Sequence, residues 1–392
     1  MVTTHHSSSE RGKAASKLTE GLRRQLKVRA AELRIDIQDA TCDAISLWRR
    51  SPVQPLLDTR GARSFTTLVP SPLWKGFEKE CRQRNISYIQ GLSQAVTLWL
   101  REPRKETPMS LPPQRIISAM QKGGVGKTST SAGTAQALAE SPEHGGLGLR
   151  VLLVDYDPQG DVTVWHGVER IKILPDNSQH SLTKHILGHA GDRNIADLLV
   201  PIKGDRFGGR LQLLPTCMDA FLLEASMGQV RFKEAALERA LKPLEAHFDV
   251  IIIDCPPSLG LSMDAAVYYG RRRQGEAAGR SGLMMPVQAE DSSVEAYMLF
   301  TWQINDLVND AAITVDHLGF VVNLYDPRRG LIATSTLTEW QSLGEPPVLE
   351  VVADRKEQRE QVRFKEPLFE LYPDSDHAES LRSLARKLRK AA

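Results

Sequence analysis

Two lysines stand five positions apart in a glycine-rich stretch of the chain. The stretch follows the apolar segment 115–120, precedes apolar residues at helical spacing, and reads Gln121-Lys122-Gly123-Gly124-Val125-Gly126-Lys127-Thr128. Glycines allow a tight turn whose backbone N–H groups converge on phosphate oxygens, and the N-terminus of the following helix adds partial positive charge. The pattern therefore predicts a phosphate-binding loop in which Lys127 binds the β- and γ-phosphates of a nucleotide and Thr128 binds Mg²⁺.

Three carboxylates follow two continuous apolar runs. Asp155 and Asp157 come after residues 151–154, and Asp254 comes after residues 250–253. Uninterrupted runs of this length are typical of parallel strands that are buried on both faces. Together with the strand before the glycines, they predict an α/β fold with a mostly parallel sheet and helices on both faces. Each carboxylate either serves the nucleotide site or caps the turn that follows its strand.

The glycine-rich stretch carries more than a generic phosphate loop. Residues 122–128, K-G-G-V-G-K-T, resemble the deviant Walker A motif of the ParA/MinD family of ATPases. In that family the first lysine crosses a nucleotide-sandwich dimer to the partner's γ-phosphate, and the resemblance gives this role to Lys122. It implies a P-loop enzyme that hydrolyses ATP to ADP and phosphate, with ATP and Mg²⁺ as its ligands.

The same resemblance assigns the remaining site residues. In the family's D-x-D-P-Q-G segment, here 155–160, Asp155 supports the Mg²⁺ shell and Asp157 positions or deprotonates the attacking water. Residues 250–258 resemble its Walker B motif, in which Asp254 holds Mg²⁺ through water. Asn323 ends a strand whose asparagine contacts adenine in the family, or it is an ordinary turn residue. The full prediction comprises the catalytic residues Lys122, Lys127 and Asp157, the nucleotide-binding residues Lys122, Gly123, Gly124, Val125, Gly126, Lys127, Thr128, Ser129 and Asn323, and the metal-binding residues Thr128, Asp155 and Asp254.

The resemblance implies a function in partition. ParA-type members form ATP-dependent homodimers that bind DNA non-specifically, and a ParB-type partner stimulates hydrolysis. This version predicts a cytoplasmic, nucleoid-associated protein that segregates a plasmid or a chromosome. MinD-type members instead dock on membranes through a C-terminal amphipathic helix. The tail 379–392 aligns Leu381, Leu384 and Leu388 on one stripe, and three leucines without an aromatic residue favour packing against the domain over contact with a bilayer.

The first quarter of the chain contains an internal repeat. Residues 18–52 and 69–103 align without a gap at an offset of 51. Each copy has apolar residues at helical spacing on both sides of a short turn, which predicts two helices per copy. Residues 64–70 are a predicted strand before the second copy, and residues 13–18 are its weaker counterpart before the first. This order of elements resembles the ribbon-helix-helix fold of small DNA-binding repressors.

That second resemblance implies an antiparallel ribbon that enters the major groove of operator DNA, through which the chain would regulate its own transcription. The alternative is a helical arm that only dimerises. If Phe65, Thr67 and Val69 face the helices, the residues between them face outward. The predicted outer face consists of Ser64, Thr66 and Leu68 and, at the offset, of Lys13, Ala15 and Lys17. The sequence leaves open whether the strands pair within one chain or between two.

Charge is divided unequally along the chain. The 392 residues carry a net charge of +2, but residues 1–110 carry +8 and the remainder carries −6. A basic leader on a mildly acidic body predicts either a polyanion partner or a solvated surface. The run Arg271-Arg272-Arg273, with Arg280, is either a DNA contact of the dimer or a surface loop.

The motifs and the charge predict the same division into domains. A duplicated helical extension for DNA binding or dimerisation covers residues 1–102, a proline-rich linker covers 103–114, and the ATPase domain covers 115–392. No apolar run approaches the roughly 18 residues of a membrane span. The four cysteines are dispersed singly, which favours neither a disulfide framework nor a thiolate metal site.

Overall fold

The computed structural model describes residues 11–32, 37–101, 112–169 and 180–390. The chain forms two compact units, which are divided between Met109 and Ser110. Most of the predicted linker, 103–114, lies outside the described residues. The second unit begins its first strand at Gln114, the last residue of that linker.

The N-terminal unit consists of two strands and four helices. They are β1 (Arg11–Leu18), α1 (Glu20–Glu32), α2 (Ile37–Arg50), β2 (Arg63–Pro70), α3 (Ser71–Gln83) and α4 (Tyr88–Arg101). Each copy of the repeat therefore contributes one strand and two helices, as predicted. In the second copy the Ser87 hydroxyl accepts a hydrogen bond from the Gln90 N–H (3.2 Å) at the start of α4. The corresponding turn of the first copy, 33–36, lies outside the described residues.

The two strands form an antiparallel ribbon within one chain. Ala15 is opposite Thr66, and these residues are also equivalent in the repeat, so the ribbon has approximate two-fold symmetry about this pair. The predicted alternation along β2 is confirmed, because Phe65 and Val69 are buried and Ser64 is exposed. The pairing that the sequence left open is therefore made inside a single chain.

A buried tryptophan joins the helices under the ribbon. The Trp48 ring lies 5.3 Å from the ring of Phe77, and its indole N–H donates to the side-chain oxygen of Gln94 (3.1 Å). The guanidinium of Arg84 lies 4.3 Å from the Trp48 ring centroid, a favourable cation–π geometry. One side chain of the first copy is thus enclosed by residues of the second copy, which fixes the two halves of this unit to each other.

The second unit alternates strands with helices. Its strands are β3 (Gln114–Ser118), β4 (Val151–Asp155), β5 (Val200–Pro201), β6 (Leu211–Leu214), β7 (Val250–Asp254), β8 (Gly282–Val287), β9 (His317–Tyr325) and β10 (Val348–Ala353). Its helices are α5 (Lys127–Ala139), α6 (Asp161–Trp165), α7 (Leu182–Ile186), α8 (Leu223–Met227), α9 (Ala236–Leu241), α10 (Leu261–Gly270), α11 (Asp291–Ala311), α12 (Leu331–Ser342), α13 (Lys356–Phe364), α14 (Leu368–Leu371) and α15 (Asp376–Lys390).

One sheet runs through this unit in the order β10-β9-β8-β3-β7-β4-β6-β5. Every neighbouring pair is parallel except β5 with β6. Separate apolar clusters lie on its two faces, so β3, β4 and β7 are buried throughout. Burial on both faces is the physical reason for the uninterrupted apolar runs. The predicted mostly parallel α/β fold is confirmed.

The C-terminal helix α15 packs against its own domain. Leu381, Leu384 and Leu388 are buried, in contact with α5 and β10. The stripe that the sequence analysis singled out is therefore covered by the fold rather than presented to solvent. Among the described residues, no helix combines the length and the apolar character that crossing a lipid bilayer requires.

The arginine run after α10 lies in a loop, but its side chains form ion pairs with carboxylates of the same unit. Their exposed fractions lie between 9% and 34%. A partly buried guanidinium needs a carboxylate partner because desolvation of an unpaired charge is costly. Of the two alternatives, these ion pairs fit a loop whose charge is neutralised within the fold, and the DNA contact of a dimer stays untested. The ion pairs are Arg271–Glu238, Arg272–Asp316, Arg273–Glu238, Arg273–Glu245 and Arg280–Glu276.

Removal of Glu140, the buried carboxylate after α5, should destabilise the protein. Glu140 accepts hydrogen bonds from Arg382 (2.7 and 2.9 Å) and from Arg206 (3.0 Å). Glu140→Ala removes the two close contacts of the buried Arg382 guanidinium and leaves it only the longer contact with the exposed Glu379 (3.5 Å), so we expect a loss of about 3 kcal/mol in the free energy of unfolding. Urea denaturation followed by circular dichroism measures it. Glu339→Ala, at an exposed position of α12, is the matched control and should cost under about 1 kcal/mol; equal losses for both variants would contradict the assignment.

Candidate nucleotide site

The glycine-rich loop connects β3 to α5 through backbone that only glycine adopts readily. Gly124 and Gly126 have φ angles of +76° and +83°, in the left-handed region. A Cβ on Gly126 would also lie 1.9 Å from the side-chain nitrogen of Asn323. Position 126 therefore requires glycine both for its conformation and for space. The loop delivers the chain into the N-terminus of α5 at Lys127.

Asn323 supports this loop from β9. It is buried, and its Nδ2 lies 3.3 Å from the carbonyl oxygen of Val125 and 3.4 Å from that of Gly126. Its Oδ1 accepts a hydrogen bond from the N–H of Leu324 (2.9 Å), a residue with a left-handed φ of +55°. The amide thus lies against the backbone of the phosphate loop, and its contact with adenine stays a prediction.

Lys127 turns back onto the loop that precedes it. The ammonium is buried and donates a hydrogen bond to the carbonyl oxygen of Lys122 (3.0 Å). Burial lowers the pKa of Lys127, and the carboxylates of Asp254 and Asp157 oppose that change. An ammonium held against the backbone of the glycine-rich loop is a suitable partner for phosphate oxygens.

Lys122 is held by the N-terminal end of α11. Its ammonium contacts a carboxylate oxygen of Glu290 (3.0 Å) and the hydroxyls of Ser292 (2.7 Å) and Ser293 (3.3 Å). The Lys122 side chain is 22% exposed, so it lies at the surface of the site rather than inside it. Within a single chain this lysine has its own acidic partner.

Two carboxylates meet at the carboxyl edge of the sheet. Asp155 and Asp254 end the adjacent strands β4 and β7 and lie opposite each other in register. One oxygen of Asp155 accepts hydrogen bonds from the N–H and the hydroxyl of Thr163 (2.8 and 2.5 Å). One oxygen of Asp254 accepts a hydrogen bond from the hydroxyl of Ser131 (2.7 Å). The second oxygen of each carboxylate is buried without a hydrogen-bond partner.

The environment of this pair fits a divalent cation. Burial, reinforced by the charge of Asp254, raises the pKa of Asp155 to about 8. Burial likewise raises the pKa of Asp254 to about 7, against the hydroxyls of Ser131 and Thr128. Two buried carboxylate oxygens without donors are the hard ligands that Mg²⁺ prefers, and a bound cation would favour both charged forms. Thr128, Asp155 and Asp254 are thus suited to hold the Mg²⁺ ion that accompanies ATP.

The remaining predicted residues lie around the same loop. Val125 is fully buried and fixes the middle of the loop to the core. The hydroxyl of Ser129 donates to the carbonyl of Gly126 (2.9 Å). Asp157 is half-buried, and one of its oxygens accepts a hydrogen bond from the N–H of Gln159 (2.8 Å). A Cβ on Gly123 would meet no atom within 4 Å, so the entrance to the loop is open.

Sequence analysis missed the residues that hold the predicted ones. Thr163 and Ser131 bind the two buried carboxylates, and Glu290 binds Lys122. Ser131 lies four positions after Lys127, on one face of a predicted helix, and that spacing could have indicated it. Thr163 and Glu290 carry no such local signal, because their partners come from other elements of the fold.

Gly126→Ala should abolish nucleotide binding without unfolding the protein. The new methyl group collides with Asn323 and strains a left-handed backbone, so the loop loses the shape that directs its N–H groups. We expect the affinity for a fluorescent ATP analogue, measured by titration, to fall at least about a hundredfold, a cost near 2.7 kcal/mol. Gly228→Ala is the matched control, since its φ is −57° and nothing lies within 4 Å. Full nucleotide affinity in Gly126→Ala would contradict the prediction.

Comparison with known proteins agrees with this geometry. A family model described as an AAA domain matches residues 114–273. The chain is 31% identical over 276 residues to the chromosome partitioning protein ParA of Myxococcus xanthus, and the match covers 70% of this chain and 87% of that relative. The match therefore spans most of the length of a chromosome partitioning protein.

Solved structures share the fold. McdA of Cyanothece, in its ATP complex, has a TM-score of 0.55 at 20% identity and covers 71% of this chain and 96% of its own. Cobyrinic acid a,c-diamide synthase of Mycobacterium smegmatis, with a bound ATP analogue and magnesium, has a TM-score of 0.54 at 29% identity, covering 71% and 95%. With the phosphate loop and the paired carboxylates in the same fold, the sequence match decides the family: this chain belongs to the ParA family of partition ATPases.

Proposed function

We propose that the protein is an ATP-driven switch for DNA segregation. It binds ATP with Mg²⁺, forms a homodimer in the ATP state, binds DNA without sequence preference as that dimer, and is stimulated to hydrolyse ATP by a ParB-type partner. The observation that carries this proposal is the position of two lysines on one phosphate loop above two buried carboxylates. A single chain needs only one of those lysines for the phosphates it binds.

The chain's own residues divide the chemistry among them. Lys127 and the loop N–H groups hold the β- and γ-phosphates in place. Asp157 orients the attacking water and accepts its proton. Bound Mg²⁺ supplies charge neutralisation at the phosphate oxygens, with Thr128, Asp155 and Asp254 as its protein side. Because the reaction depends on positioning rather than on covalent chemistry, turnover of the isolated chain should be slow.

Lys122 links hydrolysis to assembly. In one chain its ammonium is neutralised by Glu290 (3.0 Å), so it is not available to the chain's own γ-phosphate. Exchange of Glu290 for the partner's γ-phosphate would bring a second positive charge to the transition state, as an arginine finger does. The partial exposure of the Lys122 side chain (22%) supports this proposal. Dimerisation then becomes a condition for fast hydrolysis.

DNA is a better match than a membrane for the surface on which the dimer acts. The leucine stripe of α15 that a MinD-like protein would insert into lipid is buried against α5 and β10. An amphipathic helix binds a bilayer only through an apolar face that is free to leave the protein. We therefore propose chromosomal or plasmid DNA as the surface, and a nucleoid location.

The N-terminal unit is proposed to bind operator DNA. It forms a complete two-stranded ribbon inside one chain, the type of element that fits the major groove. Residues 1–110 carry a net charge of +8, which favours a polyanion. The unit would let the protein regulate its own transcription in addition to its role in segregation.

Substitution of the two loop lysines should separate ATP binding from assembly. We expect non-specific DNA to raise the ATPase rate of the wild-type chain. Lys127→Ala should lose ATP binding and turnover. Lys122→Ala should bind ATP but lose ATP-dependent dimerisation, with the stimulated rate reduced by roughly two to three orders of magnitude because a charge at the transition state is missing. Phosphate release and light scattering measure the two properties.

The control for both variants is Lys356→Ala, which removes a lysine whose side chain is 72% exposed and which should behave as wild type. A wild-type chain that neither binds DNA in an ATP-dependent way nor responds to it with a higher rate would exclude the segregation proposal. Flotation with anionic vesicles distinguishes the MinD-like alternative, since ATP-dependent recovery with the lipid would favour it.

Operator binding is tested by footprinting the full chain, without nucleotide, on the DNA upstream of its own coding sequence. We expect a protected site, and Lys17→Ala should weaken its protection about tenfold because Lys17 lies exposed on the ribbon. The absence of any protected site would exclude operator binding while leaving the ATPase proposal intact.

A further inference from the structure

The ribbon is symmetric in its backbone but not in its chemistry. The approximate two-fold axis passes through the pair Ala15–Thr66. The repeat offset relates Lys17 to Leu68, which lie at opposite ends of the ribbon. Lys17 pairs with Ser64 at one end, so that end presents an ammonium beside a hydroxyl. At the other end Leu68 pairs with Lys13. That end therefore has a leucine in the place of Lys17 and a lysine in the place of Ser64, so both ends carry a lysine but only one carries an apolar side chain beside it.

The differing residues lie on the outer face. Ala15, Lys17, Ser64 and Thr66 are exposed, and Leu68 is half-exposed. The core of this unit is filled instead by the inward-facing residues of β2, such as Phe65, which is 4% exposed. None of the outward residues is required by the packing of this unit. Their chemistry is therefore free to serve recognition, and it differs between the two ends.

These side chains select different base pairs. A lysine donates to the O6 and N7 acceptors of guanine, and a hydroxyl bonds to any base pair with a donor or acceptor in reach. A leucine has no hydrogen bond to give and packs best against the methyl group of thymine. The central pair is asymmetric as well, because threonine offers a hydroxyl where alanine offers only a methyl group.

We infer that the ribbon of a single chain recognises a non-palindromic stretch of DNA, with a G·C pair under the Lys17 end and a thymine under the Leu68 end. This inference rests on the proposed binding of DNA by the N-terminal unit. Residues 64 to 68 span roughly 13 Å at about 3.3 Å per residue. At about 3.4 Å per base pair, the stretch is about four base pairs long.

A ribbon made by two identical chains would present the same side chains at both ends and would favour a site that is its own reverse complement. Fusion of the two copies into one chain removes that constraint, because each strand has its own sequence. The chain therefore defines a direction along the DNA with a single ribbon.

The test selects duplexes from a randomised pool with the full chain in the absence of nucleotide, so that the ATP-dependent dimer does not contribute. The selected core is rebuilt as two palindromes, each made of one half and its reverse complement. By fluorescence anisotropy we expect the wild-type chain to bind the asymmetric core roughly tenfold more tightly than either palindrome, which corresponds to about 1.4 kcal/mol.

The triple variant Lys13→Ser/Ala15→Thr/Leu68→Lys gives all three pairs of corresponding outward positions the same residues. It should prefer the palindrome built from the Lys17 half, while circular dichroism remains that of the wild type. Lys79→Ala is the matched control: this lysine is exposed on α3, and its loss should leave the preference among the three duplexes unchanged. A palindromic core selected by the wild-type chain would overturn the asymmetric recognition alone. A pool without any enriched core would overturn DNA recognition by the ribbon as well, and neither result would bear on the ATPase measurements.

Discussion

The nucleotide site depends on two carboxylates that are buried beside each other at the ends of β4 and β7. Burial disfavours the charged forms of Asp155 and Asp254 and raises the pKa of each, and the charge of Asp254 adds to the effect on Asp155. Thr163 and Ser131 satisfy one oxygen of each group, and the other oxygens are left without donors. A divalent cation would suit this pair better than a proton, because it would favour the ionised form of both carboxylates and balance their negative charges. The strand register that makes the two residues neighbours thus also brings together the carboxylates that we propose as the protein ligands of Mg²⁺.

The two lysines of the phosphate loop differ in how deeply they are buried and in which groups they contact. Lys127 is buried and bonded to the loop itself, so its charge is fixed above the carboxylates of a single chain. Lys122 lies at the surface and is bonded to Glu290 of α11. Burial fixes the first ammonium to its own nucleotide, while partial exposure leaves the second able to exchange partners. The difference in burial, rather than in residue type, separates a binding lysine from one suited to assembly.

The rest of the molecule shows a similar contrast between basic side chains that form ion pairs within the fold and basic side chains that face solvent. The arginines after α10 look basic in the sequence, yet carboxylates such as Glu238 and Glu245 neutralise them inside the second unit. On the N-terminal ribbon, Lys17 instead faces outward without being needed for packing. The positive charge that we propose for DNA binding therefore lies where strand alternation turns it to solvent. Net charge alone does not locate it.

The sequence by itself determined the parallel sheet, the phosphate loop and the repeat. Each of these features has a signal in the sequence itself. Continuous apolar runs indicate strands buried on both faces, the glycines indicate left-handed backbone in the loop, and the constant offset of 51 residues indicates a duplication. Only the tertiary structure decided which groups meet across elements, such as Glu290 with Lys122 and Thr163 with Asp155. It also decided that the ribbon closes within one chain. Partners that are distant in sequence leave no spacing to be detected, because their contact depends on how strands and helices pack.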